Sequence, residues 1–224
     1  MKKKSAVSLV IGAAAVLLSA TPASAAVTVA DWQMNERSGS STMQSTAGSY
    51  STSIGSDVVL TGSSYKFPYI KPNSAYRPAH IVTAQNAPAL NPGTDTWSVT
   101  TRFRFTNAFG NMLQKGQAGS GNYFKMQAPH GNVSCLFRGA SGSVSVSAGT
   151  ALNDGAWHVV RCERAGTSVT MTIDGSKVRR GSGETGNIAN TLPFAIGGKS
   201  KCNADTVSCD YWVGEMDYVR IQRG

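Results

Sequence analysis

The sequence has almost no helical periodicity beyond its N-terminal stretch, since apolar residues seldom recur three and four positions apart. Short runs of alternating apolar and polar residues occur instead, interrupted about every ten positions by Gly, Asn, Asp, Ser or Pro. Such alternation is typical of strands that are buried on one face. The pattern argues against helix bundles and α/β folds, and it predicts an all-β protein, a sandwich or jelly roll.

Motifs for common catalytic and metal sites are also missing. No G-x-S-x-G sequence occurs, which removes the commonest serine-hydrolase arrangement. The cysteines show no C-x-x-C spacing, and the histidines (His80, His130 and His158) are scattered along the chain. These spacings do not predict a zinc site.

Acidic residues are few: 12 Asp and Glu stand against 21 Lys and Arg, which gives a formal net charge of +9. Removal of the three lysines near the N-terminus would leave +6, because 9 − 3 = 6. Outside a cell, a basic domain favours anionic polymers such as acidic polysaccharides or wall phosphates, although the charge can also serve solubility alone. No basic run or recognition motif accompanies the charge, so we do not expect nucleic acid as a partner.

The N-terminal residues have the features of a secretion signal. Lysines 2–4 precede an apolar stretch over residues 6–20, and Ala23-Ser24-Ala25 is an A-x-A cleavage pattern. The apolar stretch is short for a membrane span of about 20 residues. We expect residues 1–25 to be a cleaved signal peptide and residues 26–224 to form one domain. The protein is then secreted to the extracellular space, without stable membrane insertion.

All four cysteines lie in the second half of the chain, which suits an oxidising compartment. Three pairings are possible in principle. Cys202 and Cys209 bracket a short polar loop that a bond would close, and Cys135 and Cys162 lie in two strand-like runs that could be neighbours. We expect those two bridges.

The clearest strand pattern covers residues 96–105. Its apolar residues Trp97, Val99, Phe103 and Phe105 share one parity, whereas Arg102 and Arg104 take the other. The same reasoning predicts strands at 27–34, 133–138, 156–163, 169–173 and 211–222, turns at Asn153-Asp154-Gly155 and Asp174-Gly175, and core positions for Trp32, Trp97, Trp157 and Trp212. Residues 37–56 are expected to form a long loop with one short strand. Residues 181–190 are expected to form another loop, with a helical turn as an option.

Several short motifs follow one another in a fixed order: residues 30–39, Asn91-Pro92-Gly93, residues 153–158, Ile196-Gly197-Gly198 and residues 214–221. This order resembles secreted, actinobacterial-type laminin G-like domains of the concanavalin A-like lectin/glucanase superfamily. The resemblance implies a single-domain, antiparallel β-sandwich of the jelly-roll type. It also implies a non-catalytic carbohydrate-binding (lectin-like) or adhesion module that acts on extracellular or cell-wall polysaccharide.

Residues 65–77 hold the candidate ligand-binding side chains: Tyr69, Lys71, Tyr76 and Arg77. Sugar rings stack on aromatic faces through their apolar side, and cationic side chains bind hydroxyls or anionic substituents. The same aromatic residues could instead fill the core or cover a sheet edge. We predict a sugar site here and keep the structural role as its alternative.

The resemblance leaves calcium open, although no cofactor is required. Asp205 and Asp210, both near the suspected Cys202–Cys209 bridge, are the best candidate ligands. A hard cation takes six or more oxygen ligands, and two carboxylates supply only some of them. The alternative is a solvated polar loop without a metal.

The strongest sequence argument for catalysis is Glu215-Met216-Asp217. Retaining β-glucanases of the same superfamily carry an E-x-D motif that is followed closely by a second Glu. A retaining mechanism needs two carboxyls about 5 Å apart. Here Val219 and Arg220 follow, and the second Glu is missing. We therefore assign no catalytic residue. A polysaccharide hydrolase or lyase on the same fold is the first alternative, and a protein-binding scaffold module is the second.

Overall fold

The computed structural model of the chain describes residues 25–71, 76–202 and 209–224. Their regular structure is almost entirely β, with short 3₁₀ turns at Pro88–Leu90, Ala118–Ser120 and Pro129–Gly131. The strands are β1 Val27–Trp32, β2 Thr52–Ile54, β3 Val59–Leu60, β4 Tyr65–Phe67, β5 Val82–Ala84, β6 Trp97–Arg104, β7 Asn111–Lys115, β8 Tyr123–Gln127, β9 Ser134–Gly139, β10 Gly142–Ser147, β11 His158–Ala165, β12 Ser168–Ile173, β13 Lys177–Ser182, β14 Phe194–Ile196 and β15 Gly214–Arg223. Within these ranges no helix is long and apolar enough to cross a lipid bilayer.

The strands form two sheets that pack face to face. The first sheet has the order β13-β12-β11-β6-β15-β4-β3, and β1 pairs with β15 beside that path. The second sheet has the order β10-β9-β8-β7-β14-β5-β2. All of these pairings are antiparallel. The antiparallel β-sandwich predicted from the sequence is thus confirmed.

β6, in the middle of the first sheet, shows how the alternation sets the layers. Trp97 and Phe103 are fully buried between the sheets, whereas Arg104 is exposed on the outer face. The Trp97 ring packs against Phe124 and Phe137 of the second sheet, with centroids 5.0 and 5.9 Å apart. Since burial of a large aromatic side chain stabilises a fold by about 2–3 kcal/mol, this contact is a main element of the core.

Both predicted disulfides are present. Cys202 joins Cys209 across a seven-residue separation and closes the loop between them. Cys135 joins Cys162, but the expectation that their strands are neighbours is wrong: β9 belongs to the second sheet and β11 to the first. The two cysteines are fully buried and face one another, so the bond crosses the core and ties the sheets together.

The turn predictions can be compared with the backbone directly. Asp174 and Gly175 join β12 to β13 with φ values of 51° and 71°, the left-handed region that such tight turns require. β2 is the one strand within the predicted 37–56 loop. The optional helical turn at 181–190 is absent, since β13 ends at Ser182 and the following described residues are irregular. The predicted signal peptide, except its last residue, lies outside the described residues.

Candidate functional site

A groove lies at one end of the outer face of the first sheet, where β4, β6 and β15 meet the segments beyond them. Its volume is about 300 Å³. The strand register places Glu215 of β15 directly between Lys66 of β4 and Arg104 of β6. Tyr69 lines the same groove and its side chain is 64% exposed. We call this feature, lined by Lys66, Pro68, Tyr69, Arg104, Phe105 and Glu215, the Tyr69 groove.

Glu215 is fully engaged at the floor of this groove. Ser64 Oγ donates to its Oε1 at 2.6 Å, and Arg104 donates to its Oε2 from Nε and Nη2 at 3.0 and 2.6 Å. Burial alone would raise the pKa of Glu215, but the hydrogen bonds from Ser64 and Arg104 outweigh burial and hold that pKa below its ordinary value. The carboxylate therefore stays ionised at neutral pH. It does not have the raised pKa that a general acid for glycoside cleavage needs.

Trp157 was expected in the core, and that expectation is wrong. It lies immediately before β11 and is partly exposed, with the guanidinium groups of Arg102 and Arg104 at 4.5 and 4.9 Å from its ring centroid. Arg102 also pairs with Asp217. Cations at this distance from an indole face are attracted by its quadrupole. The contact with Trp157 holds the side chain of Arg104, which lines the Tyr69 groove.

The four predicted ligand-binding residues occupy different surroundings. Tyr69 lines the Tyr69 groove, and Lys71 is exposed shortly after it. Tyr76 is 54% exposed, and its hydroxyl donates to both carboxylate oxygens of Asp57 at 2.7 Å. Arg77 follows on the surface. The prediction that these residues bind a ligand stays a prediction, and Tyr69 is the member that lines the groove.

The calcium prediction is not tested. Asp205 lies outside the described residues, and the Asp210 carboxylate forms an ion pair with Lys199. Over residues 25–71, 76–202 and 209–224, no group of three or more His, Cys, Asp or Glu side chains is arranged to hold a metal ion.

A second recess lies on the outer face of the second sheet, and the sequence did not point to it. Its volume is about 250 Å³ and it extends beside the 3₁₀ turn at Ala118–Ser120. It is lined by Gln114, Tyr123, Lys125, Lys199 and Asp210, and we call it the Gln114 cleft. All five residues of β7 are buried in the structure, and no sequence pattern in β7 marks the face that carries Gln114.

The histidines are structural in their contacts. His80 is buried, and its Nε2 lies 3.1 Å from the carbonyl oxygen of Trp212. Burial lowers the pKa of His80, so its neutral form is favoured. His158 lies between the carboxylates of Asp154 and Asp174. Among the described residues, the contacts of His158 include no nucleophile for which its imidazole would be the base.

Residues 103–223, more than half of the chain, match the laminin G domain family. Two solved structures share the fold with TM-scores of 0.62: the binding domain of paraclostridial mosquitocidal protein 1, at 12% identity, and the binding domain of botulinum neurotoxin serotype G, at 11%. Each alignment covers 88% of this chain and 47% of the other. Domains LG4-5 of the mouse laminin alpha1 chain align at 17% identity over 95% of this chain and 47% of that one, with a TM-score of 0.49.

The chain thus spans about half the length of these structures. No curated protein matches it. At such identities the structural likeness shows the fold alone, and function has to be argued from the residues of the site.

Proposed function

Because the chain belongs to the laminin G domain family, we propose that it is a non-catalytic binding module that holds a carbohydrate in the Tyr69 groove. A laminin G domain and disulfides are typical of extracellular proteins. The proposal includes secretion after removal of residues 1–25 and an extracellular or cell-wall polysaccharide as the ligand. The two toxin structures are themselves binding domains, which agrees with a binding role.

The observation that carries the proposal is the exposed ring of Tyr69 beside a row of charged side chains. A sugar has an apolar face that stacks on an aromatic ring and hydroxyls that accept or donate hydrogen bonds. The groove offers both partners, since Lys66 lies next to the Arg104–Glu215 pair. A saturated ion pair favours binding over chemistry, because neither partner is free to transfer a proton.

The test measures the affinity of residues 26–224 for a panel of polysaccharides by calorimetry, and assays soluble sugar release in parallel. For the best ligand, Tyr69→Ala is expected to weaken binding about tenfold, or about 1.4 kcal/mol. That value lies within the range of about 0.5–1.5 kcal/mol for aromatic contacts. Tyr69→Phe keeps the ring and is expected to bind within about threefold of the wild type.

Other results would point elsewhere. Sugar release that Glu215→Gln abolishes would make the protein a polysaccharide hydrolase or lyase and overturn the non-catalytic proposal. Unchanged affinity in Tyr69→Ala would remove the Tyr69 groove as the site. Loss of binding in chelator would implicate calcium near Asp205 and Asp210. An absence of binding to every glycan would favour the protein-binding alternative.

A further inference from the structure

The Gln114 cleft contains a buried acceptor that the protein does not satisfy. The Gln114 side chain is about 4% exposed, and its Nε2 donates to the carbonyl oxygen of Gly116 at 2.6 Å. This bond fixes the orientation of the amide. Its Oε1 is then buried without a hydrogen-bond partner in the described part of the chain. Buried acceptors of this kind are uncommon in native proteins, and a donor from a ligand is one way to satisfy them.

A cation stands beside that acceptor. The register of β7 and β8 places Lys125 directly opposite Gln114 on the same face of the sheet. Lys199 is paired with Asp210, whereas no hydrogen bond or ion pair among the described residues engages the Lys125 ammonium. The cleft therefore has one cation in excess. Burial lowers the pKa of Lys125, and an anion in contact with its ammonium would act in the opposite direction.

The recess continues on the other side of the 3₁₀ turn. A neighbouring cavity of about 340 Å³ shares Gln117 and Gly119 with the Gln114 cleft. Asn190, Thr191 and Lys201 line this second part. Ligand pockets start at about 300 Å³, a size that the Gln114 cleft alone does not reach, but the two parts together fit a short chain. Amide, hydroxyl and ammonium groups occur in the lining, together with the Asp210 carboxylate that is paired with Lys199.

We infer that the Gln114 cleft binds an acidic sugar of a polysaccharide, with its carboxylate on Lys125 and one of its hydroxyls donating to Gln114 Oε1. A simple anion satisfies only the first of these contacts, and a neutral sugar only the second. The inference rests on the proposed carbohydrate function, but it concerns the opposite sheet from the Tyr69 groove. The two sites can therefore fail separately.

The experiment titrates residues 26–224 with trigalacturonate and with the matching neutral trigalactoside by calorimetry. Lys125→Met keeps the aliphatic stem and removes the charge, and it is expected to weaken trigalacturonate binding at least tenfold. Gln114→Met removes the acceptor at similar volume and is expected to weaken it about fivefold. Lys125→Arg keeps the charge and is expected to retain most of the wild-type affinity. If it does, the loss in Lys125→Met is due to the missing charge and not to misfolding.

Lys177→Met is the matched control, since it removes an exposed lysine charge from β13 of the other sheet and is expected to leave trigalacturonate affinity unchanged. The inference is overturned when wild-type protein does not bind trigalacturonate, or when Lys125→Met binds it with wild-type affinity. It is equally overturned when Tyr69→Ala abolishes the binding, which would place the acid in the Tyr69 groove. Inorganic phosphate that competes at equal concentration would reduce the cleft to a general anion site and would also contradict it.

Discussion

The side chain of His158 connects two turns through its contacts with two carboxylates. Its Nδ1 lies 2.9 Å from Asp174 and its Nε2 3.1 Å from Asp154, so both ring nitrogens face carboxylates. Only the imidazolium donates from both nitrogens. Burial by itself would lower the pKa of His158, but the hydrogen bonds with Asp174 and Asp154 outweigh burial and raise it. The residue therefore ties the turn before β11 to the turn after β12.

A pH dependence of stability follows from this contact. Because the folded pKa of His158 is raised, its contribution is complete below the unfolded value of about 6.5 and disappears as pH rises through the folded value. His158→Asn is expected to lower the free energy of unfolding by about 0.5 kcal/mol more at pH 5.5 than at pH 8.5, the size of a partly exposed ion pair. Urea unfolding at the two pH values measures the difference.

His130 provides the control for that measurement. It is exposed and has a φ of 51°, a conformation that Asn tolerates. His130→Asn measures how much of the difference comes from replacing an exposed histidine elsewhere in the domain. A loss in His158→Asn that is the same at pH 5.5 and pH 8.5 would contradict the role assigned to the imidazolium.

The two disulfides connect the secondary-structure elements, and they are expected to contribute unequally to stability. Cys135 and Cys162 are 27 residues apart and join opposite sheets, whereas Cys202 and Cys209 are 7 apart. Since the entropy removed from the unfolded chain grows with the closed loop, replacing the first pair by alanine is expected to cost about 3.5 kcal/mol and the second about 2 kcal/mol. Thermal and urea unfolding of the two double variants compare them.

Both cysteine pairs are buried, so each replacement also leaves a cavity that adds to the loss. The Cys202–Cys209 variant therefore serves as a comparison of similar burial and shorter loop. Equal losses in the two variants, or a larger loss in the shorter loop, would show that the cross-core bond does not dominate.

The elements also show how far sequence reasoning reached. In β6 the predicted apolar positions are buried and Arg104 is exposed, so the prediction there was correct, although Ser98 of the outer parity is buried as well. The cysteine pairs were also predicted correctly, but the composition of a strand does not show to which of the two sheets it belongs. Trp157 was misplaced because it has the parity of Arg161 and not that of the buried Cys162, so the alternation of β11 directs it to the outer face.

The candidate sites were less accessible to sequence reasoning, for a physical reason. Tyr69 was identified because an aromatic residue among Lys, Pro and Asn has a sugar-binding chemistry that a single segment displays. The Gln114 cleft combines β7 and β8 with Lys199 and Asp210, which are far away in sequence. No local pattern announces a site whose members meet only after the sheets have formed.

For the whole molecule, the excess of basic residues predicts how binding responds to salt. The formal net charge is +9 for the full sequence and +6 without the three lysines at positions 2–4. Raising the ionic strength from about 0.1 to about 1 M shortens the screening length from about 10 to about 3 Å. Affinity for polygalacturonate is therefore expected to fall at least tenfold over that range, measured by calorimetry on residues 26–224.

A neutral polymer of the same length is the control, and its affinity is expected to change less than twofold. If both polymers lose affinity equally, salt acts on the protein rather than on the attraction between opposite charges. If neither does, the basic surface serves solubility and not recognition.

The pairing of β1 with β15 has a mechanical consequence. Val27 lies opposite Arg223, so the outer ends of these strands leave the domain side by side. Tension applied between these two residues pulls the strands apart sideways and breaks their hydrogen bonds one after another, which requires less force than sliding a whole ladder at once. Once β1 and β15 have separated, the bond between Cys135 and Cys162 prevents the chain between these two cysteines from extending. Under load the domain therefore yields first where β1 pairs with β15, while the segment between Cys135 and Cys162 stays short.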